Sequence, residues 1–508
     1  MERPDDHFCG QTRFAPVFQS NASPALSGDE ELNKMSTTRS IRRSRQNGAY
    51  LSLLFPFFIL LAFCPLFASA AASHSGACPR RIPFQPSEGE SSSSAALSST
   101  TTVPAAASTS TSTLISTSTS APAATSTKAS LNPRWTGTVD PSEETAWVPL
   151  EGKVRGVNLG SLFVFEPMGC SLYDSEWPCI EALGLDTLQS KFEEHWGSFY
   201  SKDDFEEMVS YGINTVRVPL GYWTVDSLIG EDEHFPRGSM KYVKQVLSWA
   251  KEAGLWIILD LHGAPGSQTT GEPFTGHKTT TAGFFNDANY QRAYKCLQNW
   301  TRMAHTDEDF ANVVAIHVLN EPLKDTTSNL TSVYYPGAQK AIRDTEAALG
   351  ISCDATSPRD CLSIQFMDDW WGSGNPIKEI DTSDRVAYDD HNYAQWNVPA
   401  TERTREGYLE YLCTNKRSTD MAPVIVGEWS ISTIGGGELE LNSTGSAEFF
   451  QKFAAAQISA AEKGAGWAFW SWKTQLNSPL WGYKDAVEAG FIPKDLSTLD
   501  GSVCDEYN

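Results

Sequence analysis

Two glutamates close apolar runs about a hundred residues apart: Glu321 follows Val313-Val-Ala-Ile-His-Val-Leu-Asn320, and Glu428 follows Val424-Ile-Val-Gly427. Unbroken runs of this kind are the pattern of strands buried on both faces, as in a parallel sheet. A carboxylate where such a strand stops points out of the core into whatever lies there. Two of them facing one substrate are the equipment for breaking a glycosidic bond. One must stay ionised while the other keeps a proton near neutral pH, so their surroundings must differ. Arg217 and Tyr393 are suited to hold Glu428 ionised and aimed at an anomeric carbon. Asn320 suits a hydrogen bond to the sugar 2-OH, Glu321 the leaving oxygen and then the incoming water, and Trp472 the floor of the adjoining subsite. This chemistry calls for no metal and no cofactor, and no close His/Asp/Glu ligand set shows in the chain.

The elements that must carry these groups alternate strand with helix from about Trp147. Strands are expected at Val154–Leu159, Thr215–Val218, Trp256–Leu261, Val313–Asn320, Leu362–Met367, Arg385–His391, Val424–Trp429 and Gly466–Trp472. Helical periodicity is clearest in Met240–Ala253, where Val243, Val246, Leu247 and Ala250 share a face. Lys202–Tyr211, Ala288–Met303, Gly337–Leu349 and Ala447–Lys463 read similarly, while the stretch between the fifth and sixth strands is short of helix. Eight such repeats predict a (β/α)8 TIM barrel, whose chemistry sits at the C-terminal strand ends. There the strands deliver, in order, Asn158 with Glu166 just after it, Arg217, His262, Asn320 with Glu321, His391 with Tyr393, Glu428 and Trp472. Any one of these has a bland reading as a cap or a rim hydrogen bond. Their appearance in phase favours a site.

Composition narrows the partners. A formal charge of −23 over 508 residues argues against nucleic acid, whose phosphates need a basic surface. It is compatible with a neutral polymer, and a monomer is expected. Sixteen Trp offer faces for sugar rings, although core packing is the ordinary use of any one of them. Of ten Cys, the pairs Cys170/Cys179 and Cys353/Cys361 bracket short loops and suit either disulfides or buried thiols. Residues 1–49 form a leader or cytoplasmic segment ending in the basic cluster Arg39, Arg42, Arg43, Arg45. An apolar stretch within 50–72 follows, closed by small residues, in the form of a signal peptide; its length also suits a single membrane anchor. Residues 73–145 are rich in Ser, Thr, Ala and Pro, an expected disordered and O-glycosylated stalk, and 146–508 form the barrel domain. Sequons at Asn299, Asn329 and Asn442 agree with export. The expected location is extracellular or in the cell wall, with membrane contact only if the apolar segment is retained.

Asn320-Glu321-Pro322 and Gly427-Glu428-Trp429, with Arg217, His262, His391, Tyr393 and Trp472 in order, resemble glycoside hydrolase family 5 over roughly residues 150–500. The resemblance implies a β-glucan substrate, Glu321 as acid/base and Glu428 as nucleophile of a retaining reaction. Arg155-Gly-Val-Asn-Leu-Gly160 and Phe469-Trp-Ser-Trp-Lys473 resemble both the exo-β-1,3- and the endo-β-1,6-glucanases of fungi. Pro273-Phe-Thr-Gly276, Trp371-Gly-Ser-Gly374 and Tyr388-Asp-Asp-His391 are similar to the endo-β-1,6 group. Met168 stands where the pattern has Trp, and Asn392 where it has Arg. A non-catalytic wall-glucan-binding barrel is the reading from another class.

Overall fold

The computed structural model describes residues 153–165, 175–323, 329–353, 361–368, 371, 373–383, 385–415, 423–476 and 478–507. The leader, apolar segment and stalk expected over 1–145, together with Glu166, Met168 and Cys170, lie outside them. Eight parallel strands close on one another in sequence order: β1 Val154–Asn158, β2 Thr215–Gly221, β3 Trp256–Gly263, β4 Val313–His317, β5 Ser363–Met367, β6 Val386–His391, β7 Val424–Trp429 and β8 Gly466–Phe469. The closure is the ladder between β1 and β8, with Val154 opposite Gly466 and Val157 opposite Phe469.

Helices cover the outside. The β1–β2 connection carries α1 Glu176–Leu183, α2 Leu185–Ser198 and α3 Lys202–Ser210; α4 Met240–Glu252, α5 Asp287–Thr306 and α6 Tyr335–Ala348 follow the next three strands. The short α7 Ala394–Asn397 and α8 Arg405–Thr414 follow β6, α9 Ser446–Ala461 follows β7, and α10 Tyr483–Glu488 follows β8. Among the described residues none of these helices lies between β5 and β6, where the sequence is short of helical pattern. Each predicted face is the buried one: Val243, Val246, Leu247 and Ala250 of α4 are fully enclosed. Burying a Val or Leu side chain stabilises by roughly 1.5–3 kcal/mol, so α4 is held by packing more than by propensity.

The period-two alternation of the strands sorts side chains between two environments. Ile257, Leu259 and Leu261 of β3, Val386 and Tyr388 of β6, and Val424 and Val426 of β7 join the large core against the helices. Their alternates Ile258, Ala387 and Ile425 belong to a separate small cluster with Trp256, Ala315 and Val154 that plugs the lumen. Above that plug the inward positions turn polar: Asn158, Arg217, Asp260, His317, Gln365 and Asp389, all nearly inaccessible. The lumen changes from apolar to ionic along its length, and the ionic part adjoins the strand ends.

Candidate active site

Arg217 organises the polar layer from the middle of β2. Its Nη1 donates to Glu428 Oε1 at 2.8 Å and to Asn158 Oδ1 at 3.0 Å, and its Nη2 donates to Asn320 Oδ1 at 2.9 Å. The same guanidinium lies 3.2 Å from Asp260 Oδ2 and 3.5 Å from Asp389 Oδ2. Burial alone would push these carboxyls up. The charge of Arg217, the neighbouring His262 and a hydrogen bond from His317 instead hold Asp260 far below the usual carboxylate range, and His317, Arg217 and His391 hold Asp389 low.

Glu428 reaches this layer through an irregularity. Val426 and Trp429 of β7 both face the outer core although they differ in parity; strict alternation from Val426 would leave Glu428 facing outward as well. The β6–β7 register shifts between Asp390 and His391, and the β7–β8 register shifts between Val426 and Trp429. The extra residue lets both Gly427 and Glu428 serve the inside, which is how bulges beside active sites re-aim side chains. Gly427 is required there because a Cβ would run into Asp389 Oδ1, which instead accepts the Gly427 N–H at 2.9 Å. Tyr393 donates its hydroxyl to Glu428 Oε2 at 2.8 Å, so both oxygens of Glu428 are engaged.

Glu321 sits just past β4 at φ +40°, a conformation uncommon for a side-chain-bearing residue and most often met at functional sites. Its turn is pinned by the Asn320 N–H to Leu261 O at 3.0 Å and by Gln268 Nε2 to Asn320 O at 2.9 Å. His391 Nδ1 bridges the pair, 2.6 Å from Glu321 Oε1 and 3.6 Å from Glu428 Oε2. Burial would lower the imidazole, but Glu428, Asp389 and Glu321 raise it well above its ordinary value. Glu321, His391 and Glu428 each place one potential ligand atom within 4.8 Å of the others, a donor set that the sequence alone did not display. His391, Arg217 and Tyr393 already bond the two carboxylates, and these bonds account for the cluster. The decisive quantity is the carboxylate pair itself: oxygens of Glu321 and Glu428 lie within 4.8 Å of each other.

The structure thus brings Glu321, Glu428, Arg217, Asn320 and His391 together with Tyr393. His262 is nearby, its Nδ1 2.7 Å from Asp260 Oδ2 and its ring stacked on Trp470. Trp472 is a correction. The strand expected to run to Trp472 ends at Phe469, and Trp472 is wholly buried with its Nε1 donating to Asp204 Oδ1 of α3 at 3.1 Å. The half-buried indole at this mouth is Trp470, packed over Gly160 and His262. Asn392 also faces away from the pair, donating to Gln457 Oε1 of α9 at 3.1 Å. Sequence reasoning missed Trp470, His317, Asp389 and the rim indoles Trp396 and Trp481 beside Tyr393. Inward parity on β4 and β6 carried a signal for His317 and Asp389. Cys353 pairs with Cys361, Cys413 with Cys504, and Cys179 is disulfide-bonded.

The profile of the cellulases of glycosyl hydrolase family 5 matches residues 181–476. The chain belongs to glycosyl hydrolase family 5. It is 42% identical over 381 residues to glucan endo-1,6-beta-glucosidase B of Emericella nidulans, an alignment covering 72% of this chain and 91% of that one. A probable glucan 1,3-beta-glucosidase A of Aspergillus fumigatus is more distant, 30% identical over 391 residues, covering 68% and 88%. Among solved structures, a rutinosidase from Aspergillus niger shares the fold at TM-score 0.53 and 20% identity, over 67% of this chain and 98% of that one. This family-5 chain is a glycoside hydrolase.

Proposed function

We propose that this family-5 hydrolase cleaves β-1,6-glucosidic bonds in wall glucan with retention of anomeric configuration. The observation that carries the mechanism is the carboxylate separation. Retaining enzymes hold the two carboxyl groups about 5–5.5 Å apart, whereas inverting ones leave roughly 6.5–9.5 Å for a water. One oxygen of each carboxyl lies within 4.8 Å of the other and a single imidazole, His391, reaches both, which favours the close-set, retaining arrangement. Glu428, kept ionised by Arg217 and Tyr393, attacks the anomeric carbon while Glu321 gives its proton to the departing oxygen. Glu321 then takes a proton from water, whose oxygen attacks the glucosyl ester, and Glu428 leaves as carboxylate. His391 Nδ1, 2.6 Å from Glu321 Oε1, is placed to hydrogen-bond Glu321 each time it becomes anionic. Asn320, oriented by Arg217, suits the 2-OH, and the half-buried Trp371, Trp396, Trp470 and Trp481 suit stacking on sugar rings.

The β-1,6 linkage is supported by the names of the relatives at 42–44% identity, against 30% for the 1,3-beta-glucosidase A. Action outside the cytoplasm is supported by the leader and stalk composition, by disulfides, and by the exposed sequons Asn329 and Asn442. Among the described residues no helix is long and apolar enough to cross a membrane. The test is incubation of the purified protein with pustulan and laminarin, with products resolved by size over time. Early gentio-oligosaccharides from pustulan are expected. Glucose alone from laminarin, with pustulan intact, would overturn the linkage in favour of an exo-β-1,3 activity.

A further inference from the structure

Asp260 is a carboxylate of the polar layer that the reaction just described leaves without a part. It is fully buried and faces three donors. His262 Nδ1 lies 2.7 Å from its Oδ2, His317 Nδ1 lies 2.9 Å from its Oδ1, and Arg217 Nη2 lies 3.2 Å from its Oδ2. An ionised carboxylate only accepts hydrogen bonds, so the ring nitrogen of His262 that faces it carries a proton. With Nδ1 committed in this way, Nε2 is left for another partner.

Contacts place His262 at the mouth of the barrel. Leu261 O accepts the Asn320 N–H at 3.0 Å, which sets the end of β3 beside the turn that carries Glu321. Gln268 Nε2 donates to His262 O at 2.7 Å and to Asn320 O at 2.9 Å, so one side chain locks the two residues together. The imidazole stacks on the half-buried Trp470 with ring centroids 5.4 Å apart, and meets Phe274 edge-on at 5.5 Å. Arg217 joins Asp260 to the other glutamate, donating to Glu428 Oε1 at 2.8 Å. Among the described residues His262 Nε2 makes no hydrogen bond, and protein does not seal it off.

We propose that Asp260 is a positioning residue: by accepting from Nδ1 it orients the His262 ring so that Nε2 meets a hydroxyl of the glucosyl ring that Glu428 attacks. This rests on the reading of the mouth as a retaining glucosidase site. One carboxylate then has two separable roles. Its charge balances Arg217, and its hydrogen bond fixes His262. Asp260→Asn and Asp260→Ala both abolish the charge but differ in the hydrogen bond. The amide of Asp260→Asn keeps its carbonyl oxygen toward Arg217 and His262, because its NH2 group would meet the guanidinium there and turns to His317 instead. Asp260→Ala leaves the imidazole with no acceptor to hold it.

The experiment measures kcat/KM on an aryl β-gentiobioside and on analogues whose ring beside the phenol lacks the 2-, 3- or 4-hydroxyl. Comparison of the wild type with His262→Ala identifies the hydroxyl that Nε2 meets, as the one whose removal costs the wild type about tenfold more. That extra loss is expected to survive in Asp260→Asn and to vanish, to within about twofold, in Asp260→Ala, with the losses at the other two hydroxyls unchanged. A role confined to charge or folding moves all the analogues together. Equal behaviour of Asp260→Asn and Asp260→Ala, or no hydroxyl that depends on His262, would overturn the proposal. A second measurement does not require either Asp260 variant to fold. In wild-type protein with its histidine nitrogens isotopically labelled for NMR, the His262 signals are those absent from His262→Ala. Nδ1 is expected to bear the proton; a bare Nδ1 sinks the proposal. If the wild type leaves the gentiobioside uncut but opens an aryl β-laminaribioside, the β-1,6 reading alone fails, and the corresponding analogues of that sugar decide.

Discussion

At the scale of single residues, the two glutamates are distinguished by what surrounds them. Glu428 is clamped by a guanidinium and a phenol, while Glu321 meets one imidazole and retains more exposure. Glu428→Ala is therefore expected to lower kcat by roughly 10⁴-fold or more, and azide should restore turnover with an α-glycosyl azide as product. Rescue of Glu321→Ala by azide should give the β-azide; the opposite pattern of products would exchange the two roles. Gly427→Ala tests the positioning beneath them. The new methyl must displace Asp389, which bonds the Gly427 N–H and stands behind both Arg217 and His391. Misplacement of a reacting group by about 1 Å costs on the order of 10²-fold. A loss of that size in kcat, with a cooperative melt still present, is the expected result; unchanged kinetics would remove Asp389 from the positioning scheme.

At the scale of elements, the strands were legible, whereas the points where β4 and β8 stop and the loops beyond them were not. Continuous apolar runs reveal buried strands because both faces of a barrel strand are enclosed. A bulge leaves no comparable mark, since one inserted residue changes no composition. The register shift at Gly427–Glu428 is thus invisible in sequence although it aims the glutamate. The end of β8 was misjudged for a related reason: Trp470 and Trp472 have the same parity, and only the termination at Phe469 separates a mouth residue from one anchored to Asp204. The first helix carries its own prediction. Glu176 begins α1 fully buried, with Oε1 accepting the Phe165 N–H at 2.7 Å and Oε2 unpartnered, and burial raises it to about 8. The folded protein therefore holds this proton more tightly than the unfolded chain does. Stability from this group is full below the ordinary glutamate range and is lost as pH rises through about 8. Glu176→Gln should raise Tm at pH 7–8 and flatten the fall of Tm above pH 5; a parallel curve displaced downward would contradict it.

At the scale of the whole molecule, a closed sheet brings groups from six strands to one place and ties the chain's end to its outer layer. Cys413 of α8 and Cys504 are joined across 91 residues, a pairing that no spacing rule suggested. Cross-links of this span stabilise by ~2–4 kcal/mol, mainly through the unfolded chain. Cys504→Ser is expected to lower Tm while leaving kcat/KM on pustulan within about twofold, because the bond joins the outer helix α8 to Cys504 and not to a strand end; selective loss of activity without a change in Tm would refute this. By itself the sequence determined the repeat of strand and helix, hence the barrel, because apolar periodicity is a local property of the chain. It also placed Arg217, His391 and Glu428 on strands and Glu321 just past one. It could not determine the distance between Glu321 and Glu428, the rotation of Glu428 into the lumen, or which tryptophan faces the cleft. Those depend on closure, register and bulges, which arise only when strands remote in sequence bond to one another.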